Sequence, residues 1–144
     1  MIEIAPLRPA DRAEWEQLAR GYKAFYRTEL PDARYDETWG ALLAGERVHG
    51  LAARIDGRMA GIAHYLFHAQ TWGPDACYLQ DLFTAEEARG HGVATALIDA
   101  VADAARARGA RKFYWLTKQD NQRARALYDR IARWKGFLRY DYPL

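Results

Sequence analysis

A chain of 144 residues with a formal net charge of +2, half of it hydrophobic and 28% charged, has the balance of a globular domain rather than of a disordered or fibrous chain. So small a charge gives no argument for nucleic acid, and no stretch approaches the roughly 18 apolar residues that a membrane span needs. Cys77 is the single cysteine, which excludes an internal disulfide, and residues 1–10 hold no basic segment leading into an apolar one; the expectation is one cytoplasmic domain over residues 1–144 without nucleic-acid or membrane partners.

Ile2–Leu7 reads as a first strand. Pro9 and Asp11 open a helix, with Glu14 in capping-box position after Asp11, and Trp15, Leu18, Ala19, Tyr22, Phe25 and Tyr26 recur at helical spacing as a core stripe. A second short helix is expected over Asp36–Leu43, with Trp39, Leu42 and Leu43 inward. His49–Ile55 and Met59–Phe67 read as strands joined by Asp56-Gly57, a dipeptide suited to the positive φ angles of a hairpin turn. Gly73 and Pro74 then break the chain before an apolar strand, Cys77–Thr84, interrupted by Gln80 and Asp81.

The stripe Ala94, Leu97, Ile98, Val101, Ala102 and Ala105 predicts a helix from Gly92 to Arg108, which Gly109 stops. Lys112–Thr117 follows as a strand, so strand, helix and strand make a parallel, right-handed βαβ crossover. Asp120 or Asn121 caps a last helix carrying Ala124, Leu127, Tyr128 and Ile131, and Phe137–Tyr142 is expected to close the chain as a strand. The class is α/β: a mixed, mostly antiparallel twisted sheet with one parallel crossover and helices on both faces.

Charge is unevenly spread. Residues 117–139 carry Lys118, Arg123, Arg125, Arg130, Arg133, Lys135 and Arg139 against Asp120 and Asp129, whereas residues 28–46 carry Glu29, Asp32, Asp36, Glu37 and Glu46 against Arg34. These stretches read equally as solvated faces with helix caps, or as an anion-facing and a cation-facing side.

The most informative segment is Arg89-Gly90-His91-Gly92-Val93-Ala94, between a strand end and a helix start. Glycines there let a backbone approach a ligand closely, and the unpaired N–H groups and dipole of the helix make an anion site that suits a pyrophosphate. A dinucleotide fingerprint needs a third glycine where Thr95 stands and an acid at the end of the next strand, where Leu116, Thr117 and Lys118 stand; a P-loop needs Gly-Lys-Ser/Thr. Neither is present.

The segment resembles the Arg/Gln-x-x-Gly-x-Gly/Ala loop of the GCN5-related N-acetyltransferases, with Arg89, Gly92 and Ala94 in the defining places. Asn121-Gln122-Arg123-Ala124-Arg125-Ala126-Leu127-Tyr128 is similar to that family's Asn-x-x-Ala-x-x-Leu-Tyr helix. Two motifs in order, separated by a helix and a strand, are far more specific than either alone. The similarity extends over Tyr78–Phe137, and Tyr78–Phe83 and Phe113–Thr117 look most like the branch that acetylates polyamines and histone-type lysines.

The resemblance implies direct attack of a neutral amine on the thioester of acetyl-coenzyme A. Cofactor contacts are expected from the backbone of Leu82, Phe83 and Thr84, which aligns the pantetheine arm and polarises the carbonyl, from Arg89, Gly90, His91, Gly92, Val93, Ala94 and Thr95, and from Asn121, Ala124 and Tyr128. The parallel strands are expected to splay beside Leu82–Thr84. Tyr128 matches the general acid that protonates the leaving thiolate, and Asp81 is the second candidate catalytic group. Gln80, Asp81 and Glu29 are the candidate acceptor-binding residues, Asp81 ahead of Glu29. Some polyamine-acetylating relatives carry an acid where Gln80 stands, so a water-relayed base is expected instead; in a regular strand Gln80 and Asp81 cannot both face the site. Arg123 or Arg125 is placed to meet the ribose phosphate.

Other groups have plainer readings. Cys77 is a small buried hydrophobe, and His64 and His68, sharing one face of a regular strand without a third ligand, give no argument for a metal. The acceptor is a small molecule, or a lysine or N-terminus of a protein. A non-catalytic acyl-coenzyme A sensor is the competing reading. Phe137, Leu138, Tyr140 and Tyr142 suit a homodimer contact.

Overall fold

A computed structural model describes residues 1–144 as a sheet of strand order β1-β2-β3-β4-β5 with helices on both faces. In chain order the elements are β1 (Ile2–Pro6), α1 (Arg12–Phe25), α2 (Asp32–Ala44), β2 (His49–Ile55), β3 (Arg58–Gln70), β4 (Gly73–Thr84), α3 (Val93–Arg108), β5 (Phe113–Trp115) and α4 (Gln122–Ile131). All neighbours are antiparallel except β4 and β5, the expected crossover around α3. Asp56 and Gly57 take positive φ at the β2–β3 turn, as that dipeptide predicts. No helix is long and apolar enough to cross a membrane.

Alternation along β3 assigns the faces. A Cβ at Gly61 would meet α3 through Val93 and Leu97, whereas His64, an odd number of residues on, meets Trp15 of α1. Gly50, paired with His64, lies under Leu42 of α2. Phe67, Cys77 and Phe113 share the α3 face through their register, and Trp115 on that face touches Tyr128 of α4. One layer is therefore α1 and α2, the other α3 and α4, and the core between them includes Trp15, Ile62, Leu97, Val93 and Val101.

Several expectations are corrected. Asp11 and Glu14 form no capping box on α1. Asp11 is 3% exposed; its carboxylate accepts from the Arg8 backbone N–H at 2.8 Å and pairs with buried Arg54, because a buried carboxylate requires a cation more than a helix end requires a cap. The Glu14 carboxylate takes the Met59 N–H at 2.8 Å. These two acids fasten the start of α1 to β2 and β3. The second helix begins at Asp32 rather than Asp36, with extended Pro31 as its N-cap. Gly73 and Pro74 begin β4 instead of breaking the chain: proline lacks an N–H that the ladder's last rung can spare, and its carbonyl accepts from the Gln70 side chain at 2.9 Å. Lys112–Thr117 shrinks to Phe113–Trp115.

The closing strand Phe137–Tyr142 is absent, and residues 132–144 carry no regular structure. The alternation of apolar residues there is real, but a strand also needs an edge to take its N–H and C=O groups, and no strand of the chain pairs with it.

Gly61 sets how closely α3 sits on the sheet. A Cβ there would lie 2.6 Å from Val93 Cγ1 and 3.0 Å from the Phe83 carbonyl oxygen. Gly40, inside α2, has nothing within 4 Å of the same position. Gly61→Ala is expected to destabilise by about 1–3 kcal/mol through overpacking, and Gly40→Ala to stabilise by about 0.5–1 kcal/mol through helix propensity. Denaturant unfolding of the two variants checks both signs.

Candidate active site

The parallel pairing of β4 with β5 runs only from Cys77 opposite Phe113 to Leu79 opposite Trp115. Beyond it the strands part, as expected. On its other side β4 carries a bulge: His64 stands opposite Asp81 and Tyr65 opposite Leu79, leaving Gln80 unmatched. A bulge re-aims side chains, so the strand is not regular where alternation was to separate Gln80 from Asp81. Gln80 lines a cavity in the gap, and Asp81 turns to His64 and α1. From Gln80 to Thr84 the β5-facing edge of β4 is unpaired, while Leu82, Phe83 and Thr84 remain fixed to β3 by Ala63, Ile62 and Gly61.

The cavity is walled by Tyr22 and Tyr26 of α1, Leu79, Gln80 and Leu82 of β4, Trp115, Leu116 and Thr117 at the end of β5, and Tyr128 of α4. Side chains from both layers meet there because the sheet between them is open. The Tyr128 ring stands edge-on to Trp115, centroids 5.3 Å apart. Burial, with Tyr26 adding to it, holds the Tyr128 phenol above its ordinary pKa, so it carries its proton at neutral pH. Asn121 is the N-cap of α4: its Oδ1 accepts from the Ala124 N–H at 3.3 Å. The motif's Asn and Ala are thus partners in one cap, which sets the helix that presents Tyr128.

Asp81 is half-buried and tied to β3 and α1. His64 Nδ1 lies 2.9 Å from Asp81 Oδ2, and His64 Nε2 accepts from the Trp15 indole at 3.0 Å. Burial pushes the Asp81 carboxyl upward, but the hydrogen bond with His64 and the nearby Lys23 charge outweigh burial and leave it below the ordinary range.

The glycine-rich turn lies where β4 hands over to α3. Gly90 and Gly92 have φ of 83° and 82° with open space around each Cβ position, so positive φ and not crowding selects glycine there. No side chain caps α3, so its first N–H groups retain their capacity to bind an anion. Gly90, His91 and Gly92 are exposed, Arg89, Ala94 and Thr95 half-buried, and Val93 is in the core at 2% exposure, offering its backbone alone.

Other candidates lie elsewhere. Glu29 is exposed and outside the cavity wall. In the acidic stretch, Asp32 pairs with Arg20 and Asp36 with Arg12, joining α2 to α1, and Glu37 pairs with Arg34 within α2, so these three acids already have partners inside the chain. Arg125 donates to the Gln119 carbonyl at 2.9 Å and stands over Trp134. Cys77 is fully buried, which pushes its thiol up to about 11, the behaviour of a packing residue. His68 bonds the Tyr114 hydroxyl at 2.9 Å, apart from His64. Sequence reasoning missed Tyr22, Tyr26, His64 and Gly61. Both tyrosines sit on the stripe read as core, and Gly61 inside a strand was the available sign of close approach.

Comparison with known proteins agrees with this geometry. The acetyltransferase (GNAT) family profile matches residues 15–132. The chain is 33% identical over 143 residues to the D-amino-acid N-acetyltransferase HPA3 of Saccharomyces cerevisiae, covering 91% of this chain and 84% of that one. Among solved structures, the ribosomal-protein-alanine N-acetyltransferase of Brucella melitensis biovar Abortus 2308 superposes with a TM-score of 0.83 at 26% identity, over 100% of this chain and 99% of the other. The aminoglycoside acetyltransferase AAC(6')-Iy with a bisubstrate analogue gives 0.88 at 18% identity, over 100% and 98%, a likeness of fold.

Proposed function

This chain belongs to the acetyltransferase (GNAT) family and is an N-acetyltransferase, and on that premise we propose that it moves the acetyl group of acetyl-coenzyme A to the primary amine of a small molecule by direct attack within a ternary complex. The observation that carries this reading is the gap at Leu79 and Trp115, which puts an open strand edge and a half-buried phenol at one cavity, with an uncapped helix start following the same strand. The Arg89–Thr95 turn takes the diphosphate through backbone N–H groups, and the free edge of Leu82–Thr84 pairs with the pantetheine amides and polarises the thioester carbonyl. Acetyl-coenzyme A supplies the acyl group. The chain's own residues orient both partners and manage the protons.

The amine reaches the cavity as an ammonium and must lose one proton before attack. Gln80 at the wall is no base, so water takes that proton. Tyr128 gives its own proton to the departing thiolate, and the proton that the amine nitrogen sheds as the tetrahedral adduct becomes the amide restores the phenol. A phenol near 10 exceeds a thiol near 8.5, so this transfer relies on position and surroundings. The 33% identity to a D-amino-acid N-acetyltransferase supports a small acceptor such as an amino acid, and the ion pairs of the acidic stretch give no support for a broad cation-binding face.

Residues 132–144 support a homodimer. Trp134, Phe137, Leu138, Tyr140 and Tyr142 are each at least 67% exposed, an apolar content that an isolated subunit leaves in water. A second copy covers them, and sedimentation of the chain should show a dimer that Phe137→Asp with Tyr140→Asp returns to monomer.

Thiol release from acetyl-coenzyme A, followed with a panel of primary amines, tests the reaction. Tyr128→Phe should lower turnover by about two to four orders of magnitude, the usual range for a general acid, with cofactor affinity retained. Tight cofactor binding with no release on any amine would instead establish an acyl-coenzyme A sensor. Because the Tyr128 pKa is raised, the acid form persists to higher pH, and activity should fall only above about pH 10. Separately, Gly92→Asp should weaken coenzyme A binding at least about tenfold in calorimetry, since a side chain at positive φ costs about 1–2 kcal/mol and the carboxylate repels the phosphates.

A further inference from the structure

Lys118 follows Thr117, which lines the cavity, and its carbonyl accepts the Asn121 N–H at 3.1 Å, so its backbone belongs to the turn that opens α4. Its ammonium stands 5.6 Å over the ring of Tyr26, a wall residue on α1. The side chain therefore begins on the β5 side of the gap and ends on the α1 side, alongside the cavity between them. Lys118 is exposed and forms no ion pair. Only a ring face holds its ammonium, and that hold is weak where water reaches it. A carboxylate, which takes a charge-assisted hydrogen bond, draws the ammonium away. Lys23 stands over Tyr22 at the same 5.6 Å, but its charge is set against Asp81. Lys118 is thus the cation beside the cavity without an acid of its own.

Resting on the acetyl-transfer reading and deepening it, we infer that Lys118 binds a carboxylate of the acceptor, which is an amino acid whose amine enters the cavity while its acid group stays at the rim. The polar members of the wall are phenols, an amide and a hydroxyl, from Tyr22, Tyr26, Gln80, Thr117 and Tyr128. None of these is a cation, and a carboxylate drawn in among them without one is costly. In an α-amino acid a single carbon separates the two groups, so an amine lodged inside the wall leaves the acid beside Lys118. The same positive charge acts on the amine. It disfavours the ammonium, the direction that attack requires, and it repels the second ammonium of a diamine or polyamine. Lys118 reaches toward α1, in one layer, whereas the Arg89–Thr95 turn opens α3 in the other. Its partner is therefore the acceptor and not the diphosphate of the coenzyme.

Initial rates with racemic alanine and with racemic alaninamide separate the acceptor's charge from the rest of it. Lys118→Gln should raise the alanine KM about 10- to 100-fold, the loss of a hydrogen bond between charged groups, and leave the KM of alaninamide and of acetyl-coenzyme A unchanged. Lys118→Arg, which keeps the charge, should keep the native alanine KM, and Lys118→Glu should turn preference toward putrescine. The side chain is exposed, so these variants fold. An active enzyme in which Lys118→Gln leaves the alanine KM unchanged, or raises that of acetyl-coenzyme A instead, overturns the assignment while acetyl transfer stands. A readout without turnover is calorimetric titration of racemic alanine into the full chain saturated with coenzyme A. Binding by the native chain that Lys118→Gln weakens at least about tenfold supports the assignment. Equal binding by both proteins, or none by either, overturns it whether or not the enzyme turns over.

Discussion

Everything at the site follows from the backbone hydrogen bonds that β4 does not make after Leu79. A paired central strand would leave no edge for a ligand and no opening between the layers. Two local features maintain the opening. The bulge at Gln80 bends β4 on its β3 side, and β5 is only three residues long before the chain leaves for α4. Unpaired N–H and C=O groups in a sheet interior are costly unless something takes them. A ligand running along Leu82–Thr84, as proposed above, takes them.

The two layers are tied to that defect by different means. On the α3 side the attachment is steric: Gly61 has no Cβ, Val93 and Leu97 settle onto the sheet, and the turn before Val93 is brought to the end of β4. On the α1 side it is polar. Asp11 with Arg54, Glu14 with the Met59 N–H, and Trp15 with His64 fasten consecutive stretches of α1 to β2 and β3. Such bonds fix rotation about the helix axis as well as distance, and that rotation turns Tyr22 and Tyr26 into the gap.

Most of the architecture was legible because it rests on local patterns. The Asp56-Gly57 turn, the α3 stripe with its glycine stop, and the strand-helix-strand spacing each need only neighbours in sequence. The family motifs fall on the turn between β4 and α3 and on Tyr128 at the cavity wall. What failed depended on distant partners. Asp11 looked like a cap until Arg54, far along the chain, competed for it; Phe137–Tyr142 looked like a strand although no edge awaits it; and Tyr22 looked like core because a helical stripe does not reveal that the sheet beneath it opens. The bulge at Gln80 is the sharpest case. Gln80 and Asp81 do face apart, as alternation requires, but the extra residue shifts the register against β3, and nothing in the residues signals it.

Binding the acceptor and activating it make opposite demands. An anion near the amine favours the ammonium, yet only the neutral amine attacks, and an alkyl ammonium near the lysine value of about 10.4 leaves roughly one molecule in a few thousand neutral at pH 7. The arrangement separates the two demands in space. Asp81 lies outside the cavity wall and faces His64, whose N–H already partly matches its charge. The wall nearest the gap is made of uncharged groups, Gln80, Tyr26 and Tyr128 with Leu79, Leu82 and Trp115. Desolvation against such a wall lowers an ammonium's pKa, the direction that attack requires. A carboxylate at Gln80 would strengthen binding and hold the proton in place. A neutral amide there leaves the cavity wall free of charge.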